Sequence, residues 1–105
     1  MEDILDKLDK ILEDRKSSNS KDSYIAALYK KGNNHICNKV IEEASELVEA
    51  TKESENQIIH ESADLLFHVL VLLASHDIKY ARILEELENR FGTSGIEEKN
   101  NRKWW

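Results

Sequence analysis

At 105 residues the chain has room for one domain and one modest core, and it has no proline, only three glycines, and abundant Leu, Ile, Glu and Lys. Too few turn-formers remain for an all-β protein. A formal charge of -6 excludes a basic footprint for nucleic acid, so a polyanionic ligand would need cations supplied some other way, most simply as a divalent metal.

Ile4, Leu5, Leu8, Ile11 and Leu12 recur at helical spacing and predict a first amphipathic helix over about residues 2–15. The same N-terminus has neither the basic nor the apolar region of a signal peptide. Residues 17–21 are a polar break, after which Asp22 or Ser23 can cap a short second helix carrying Tyr24, Ala27 and Leu28. Gly32 is placed to end that helix in a left-handed cap, with Asn33 and Asn34 as the turn. A third helix over about residues 35–52 presents Ile36, Val40, Ala44, Leu47 and Thr51 on its apolar side. It carries Cys37, whose solitude excludes an intramolecular disulfide and a multi-cysteine zinc site and suits a reducing cytoplasm. A fourth helix covers about residues 56–75, and a fifth carries Ile83, Leu84, Leu87 and Phe91 before Gly92. The tail is polar until Trp104 and Trp105.

The expected fold is therefore all-α, a single-domain bundle of about five helices over residues 1–105. From Leu65 onward the fourth helix is apolar on nearly every side, and such a helix must be buried all round. One small domain can hardly supply that cover, which predicts completion by homodimerisation; a central helix in a monomeric bundle is the alternative. The longest apolar stretch, residues 65–74, is interrupted only by His68 and is too short to span a bilayer, so the expectation is a soluble, cytoplasmic protein with no membrane partner.

Two acidic segments stand out. Residues three and four apart on a helix share a face, so Glu43 and Glu42 each point with Glu46, and Glu61 points with Asp64. Projection at ~100° per residue puts Glu43 on the border of the apolar side, and Glu61 and Asp64 sit just before the most apolar stretch. Like charges crowded beside a core break a local rule, and such breaks mark function. Hard-cation binding tolerates this arrangement, because magnesium takes a few carboxylates and fills its remaining positions with water and phosphate oxygens. A short connection at about residues 52–56 makes the two helices antiparallel neighbours. In a chain with 34% charged residues, however, a Glu-rich face is ordinarily solvated surface, and Glu49, Glu53 and Glu55 are read that way.

The pattern Glu42-Glu43-x-x-Glu46 followed by Glu61-x-x-Asp64 resembles the signature of the all-α nucleoside-triphosphate pyrophosphatase (MazG-like) superfamily. Three further stretches resemble its phosphoribosyl-ATP pyrophosphohydrolase family. They are residues 23–28 with Gly32, Lys39 and Val40; the run Glu61-Ser62-Ala63-Asp64-Leu65-Leu66-Phe67-His68; and the tail Ser94-Gly95-Ile96-Glu97-Glu98-Lys99. Ile41 departs from the pattern, standing where many members carry glycine, and Trp104 and Trp105 match nothing in it. The resemblance implies hydrolysis of phosphoribosyl-ATP to phosphoribosyl-AMP and pyrophosphate in histidine biosynthesis, by a stand-alone enzyme without a cyclohydrolase domain.

It also implies site residues: Glu43, Glu46, Glu61 and Asp64 as Mg2+ ligands, with Glu42 a further ligand or the group that activates water. Lys39 either contacts phosphate or pairs with Glu43 at i,i+4, and Lys99 and Arg102 either fold over the substrate or belong to a solvated tail. His68 is expected to hydrogen-bond behind the metal or to sit in the core, since imidazole is a poor magnesium ligand. His35, His60 and His76 carry no pattern, and Cys37 reads as a small buried residue. A MazG-like nucleoside triphosphate hydrolase and a non-enzymatic helical interaction module are the competing functions.

Overall fold

Local capping sets where each helix begins. In the computed structural model, which describes residues 3–92, the Asp3 carboxylate accepts from Asp6 N at 2.9 Å and starts α1, Ile4–Asp14, which runs into a 3-10 turn at Arg15–Ser17. Ser23 Oγ accepts from Ala26 N at 3.2 Å and starts α2, Tyr24–Lys31; Ser54 Oγ accepts from Gln57 N at 3.2 Å and starts α4, Glu55–Ser75. Between them lies α3, Asn33–Ala50, and α5, Tyr80–Phe91, follows α4. The described residues are all helix and turn, as the composition predicts.

One junction differs from expectation. Gly32 has the positive φ, +96°, that a cap requires, but its ψ of 177° places it in an extended region that only glycine enters readily. Its N–H donates to the Leu28 carbonyl at 3.2 Å while its own carbonyl accepts from Ile36 N at 3.1 Å. A single residue thus closes α2 and opens α3, so Asn33 and Asn34 belong to α3 rather than to a turn.

Leu12, Leu28, Ile36, Leu70 and Val71 form the core, where α1 and α2 meet the first turn of α3 and the second half of α4. Tyr29 is fixed against it by a bond from its hydroxyl to the Leu12 carbonyl, 2.9 Å. α3 and α4 form the principal helix–helix contact, joined by the short turn at residues 51–54. The buried stripe of α3 is Ile36, Glu43 and Ala50, with Val40 and Leu47 half-buried between them; Thr51, expected on the apolar side, is exposed. These positions alternate by four and three, the ~3.5-residue seam of paired helices.

By length and mean hydropathy α4 could cross a bilayer. Its Glu61 instead lies against Glu43 and Glu46 of α3, and its buried His68 bonds Tyr24 of α2, so that its polar groups are engaged by neighbouring helices. α5 is tied to α1 by a hydrogen bond from the Tyr80 hydroxyl to the Asp6 carboxylate, yet none of its residues is buried.

Candidate active site

The core end of the α3–α4 pair is apolar and its middle is acidic. Glu43 and Glu46 leave α3 on one face, Glu61 leaves α4 opposite them, and one carboxylate oxygen from each lies within 4.8 Å of the others. A second triad shares Glu61: it adds His60 and Asp64 with the same spread, His60 Nε2 standing 3.4 Å from Asp64 Oδ2. A cavity of ≈ 210 Å³ opens alongside, lined by Ser45, Glu46, Glu49, Ala50, Glu53 and Glu61.

The cleft is short of positive charge. Glu43 is only 8% exposed, and its Oε2 and that of Glu61 are buried without a hydrogen-bond partner among the described residues. Burial first, then the adjacent Glu46 carboxylate, push the Glu43 carboxyl above the ordinary range, and Asp64 adds to the rise. Burial and Glu46 act the same way on Glu61. Lys39 and Lys52, before and after the cluster in the chain, pair with other groups: Lys39 Nζ is 3.8 Å from Glu42 Oε1, and Lys52 Nζ is 3.5 Å from Glu49 Oε2. Buried carboxylates without cations are costly. An oxygen-only donor set held by two helices fits a hard divalent ion that fills its other positions with water and phosphate.

His68 anchors the cleft to α2. Its Nδ1 lies 2.8 Å from the Asp64 carbonyl oxygen and its Nε2 lies 3.0 Å from the Tyr24 hydroxyl. A carbonyl only accepts, so Nδ1 donates to it, and Nε2 is left to the Tyr24 hydroxyl. Phe67 meets the imidazole edge-on, and the ring is 5% exposed.

Of the residues singled out in the sequence, Glu43, Glu46, Glu61 and Asp64 thus converge. Glu42 is exposed, turned to Lys39 and outside both triads. Lys39 pairs with Glu42 rather than Glu43. Lys99 and Arg102, the tail motif and the terminal tryptophans lie outside the described residues. His60, which carries no pattern in the sequence, stands beside Asp64 at i,i+4. The Tyr24–His68 bond spans 44 positions and no local pattern carries it. A larger cavity, ≈ 360 Å³, at the other end of α4 is lined by groups already engaged, with Lys16 on Asp77 at 2.6 Å and His76 on Asn33 at 2.8 Å.

Residues 5–91 match the model of the phosphoribosyl-ATP pyrophosphohydrolase family. The chain belongs to that family. It is 50% identical over 103 residues to the phosphoribosyl-ATP pyrophosphatase of Vesicomyosocius okutanii, covering 97% of this chain and 98% of the relative. It is 48% identical over 105 residues to the protein of the same name from Hydrogenovibrio crunogenus, covering 95% and 93%. The histidine biosynthesis bifunctional protein HisIE of Helicobacter hepaticus is 52% identical over 101 residues, 95% of this chain but 44% of that longer protein. The family match takes in α2 to α4 whole and with them all four carboxylates of the cleft. The departure at Ile41 is sterically free, since that side chain is 67% exposed on α3.

Proposed function

We infer that this chain hydrolyses phosphoribosyl-ATP to phosphoribosyl-AMP and pyrophosphate, the second step of histidine biosynthesis in the cytoplasm, with Mg2+ held by Glu43, Glu46, Glu61 and Asp64. The observation that carries the reading is the buried Glu43 carboxylate, its Oε2 without a partner among the described residues, set among Glu46, Glu61 and Asp64 in a chain of this family. Four carboxylates repel a triphosphate, so the cleft recognises one only together with divalent cations. When bound, the metal would neutralise the charge that develops on the departing pyrophosphate and lower the pKa of a coordinated water.

The chain's own residues supply position. Glu43 and Glu46 from α3 and Glu61 and Asp64 from α4 define the cleft from two rigid helices, the arrangement that holds donor atoms most reproducibly. His68 fixes the backbone turn that carries Asp64 and is itself held by Tyr24. Glu42 is proposed to orient water from the rim, and Lys39, Lys99 and Arg102 to contact phosphate oxygens. A second copy of the chain is proposed to cover the apolar faces of α4 and α5, making the working unit a homodimer.

The test is incubation of the purified protein with phosphoribosyl-ATP and Mg2+, with ATP and dUTP in parallel, resolving nucleotides and pyrophosphate. Phosphoribosyl-AMP should form, the plain triphosphates should persist, and chelation should stop the reaction. Turnover of ATP or dUTP in place of phosphoribosyl-ATP would reassign the protein to the nucleoside-triphosphate hydrolases.

A further inference from the structure

We propose that His60 is a metal ligand of this chain, forming with Glu61 and Asp64 a mixed nitrogen–oxygen position beside the all-carboxylate one, and that this position prefers a borderline transition ion such as Co2+ or Zn2+ over Mg2+. The proposal rests on the reading of the cleft as a divalent-cation site and adds to it which ion one half of the cleft selects.

The geometry supports it at three points. Donor atoms ~2.1 Å from a common ion stand ~3.0–3.4 Å apart when adjacent in its shell. His60 Nε2 and Asp64 Oδ2 are 3.4 Å apart, and a Glu61 oxygen joins both within 4.8 Å. The two positions share Glu61, whose Oε2 is buried without a partner, and the all-carboxylate one includes Glu43, nine-tenths buried, whose Oε2 likewise has no partner among the described residues. His60 is also the one histidine in either triad. His68 offers no free nitrogen, with Nδ1 on the Asp64 carbonyl and Nε2 on Tyr24, and His76 is bonded to Asn33.

Chemistry then separates the two halves of the cleft. Glu43, Glu46 and Glu61 give oxygen alone, the donor set of magnesium, which accepts imidazole poorly. An added imidazole raises affinity along the first-row series toward Co2+ and Zn2+. His60 is largely exposed, so its ring is open to an incoming ion without rearrangement of the core.

Three measurements on the full chain decide the matter: Co2+ and Mg2+ affinities by calorimetry, imidazole 15N spectra with Zn2+, and the same for His60→Gln. Wild type should bind Co2+ about tenfold or more tightly than His60→Gln does, while Mg2+ affinity changes by less than about twofold, because oxygen donors alone hold it. Zn2+ should shift the His60 ring nitrogens and leave those of His68 in place. Equal Co2+ affinity in the two proteins, or an unshifted His60 ring, would overturn the proposal while leaving the carboxylate site standing. Absence of binding of either ion to wild type would overturn both readings together. Unchanged helical circular dichroism in His60→Gln secures the comparison.

Discussion

Glu43 sits where a helix pair ordinarily places leucine. Its carboxyl is buried beside Glu46, which raises its affinity for a proton. The sign of the consequence is definite. A carboxyl whose folded pKa lies above its unfolded value binds more protons in the folded state, so the stability it contributes is complete below the ordinary glutamate range. That stability is lost as pH rises through the raised value. The metal-free protein should therefore lose thermal stability over that window, and divalent cation should reverse the loss by binding only the folded state. Glu43→Gln isolates the effect, since it removes a buried charge while keeping shape. We expect the metal-free Tm to rise by about 4–8 °C, corresponding to ~1 kcal/mol in a domain of this size. Stabilisation by Mg2+ should be lost, and turnover should fall by ~100-fold or more. Scanning calorimetry across pH with and without Mg2+ reads all but the last. An unaltered Mg2+ response in the variant would remove Glu43 from the metal site. The carboxylates themselves were legible because acids at i,i+3 stand out against an apolar helix. His60 and the Tyr24–His68 bond were not, the first because one exposed histidine carries no pattern, the second because it joins residues remote in sequence.

Among the elements, the Ser23 cap and hydrophobic recurrence are local facts, and the helix that starts at Ser23 follows from them, whereas the Ser54 cap of α4 went unread. The face of α3 required more. A 3.6-residue projection drifts from Ile36 through Val40 and Ala44 to Thr51, whereas packing against α4 holds a seam through Ile36, Glu43 and Ala50. Single-helix periodicity cannot register that difference, because the partner helix imposes it. The α2–α3 junction shows the same division. Glycine marked a positive φ, but the tight one-residue turn depends on α2 and α3 both packing on the core. Gly32→Ala tests that turn cleanly, since a Cβ there would meet nothing within 4 Å and the cost is backbone conformation alone. The expected loss is about 1–3 kcal/mol, read as a lower urea midpoint with an unchanged m-value. A midpoint equal to wild type would mean that the junction relaxes to another conformation.

At the scale of the whole molecule, α4 and α5 leave large apolar side chains exposed among the described residues. Leu66 on α4 is 51% exposed, and Ile83, Leu84, Leu87 and Phe91 on α5 are 41%, 49%, 44% and 54% exposed. A groove where α4 and α5 meet Leu5 of α1, lined also by Leu66, Val69, Leu70, Leu73, Tyr80, Ile83 and Leu84, joins three of these side chains, Leu66, Ile83 and Leu84. Contiguous apolar surface of this kind marks an interface, and a small domain gains most from extending its core across one. The sequence pattern announced a helix needing cover on every side; it could not say which neighbours provide it, because that depends on where α5 lies. A second copy, pairing α4–α5 face to face, is the occupant proposed for this surface. Sedimentation velocity at micromolar concentration should therefore return a dimer. Replacing Leu66 and Leu87 together with glutamate should yield a monomer, as each desolvated charge at the centre of such a face costs several kcal/mol. The same pair should abolish the dependence of Tm on protein concentration that an associating fold must have. A wild-type monomer would refute the dimer while leaving the carboxylate cleft, which α3 and α4 of one chain form by themselves, unaffected.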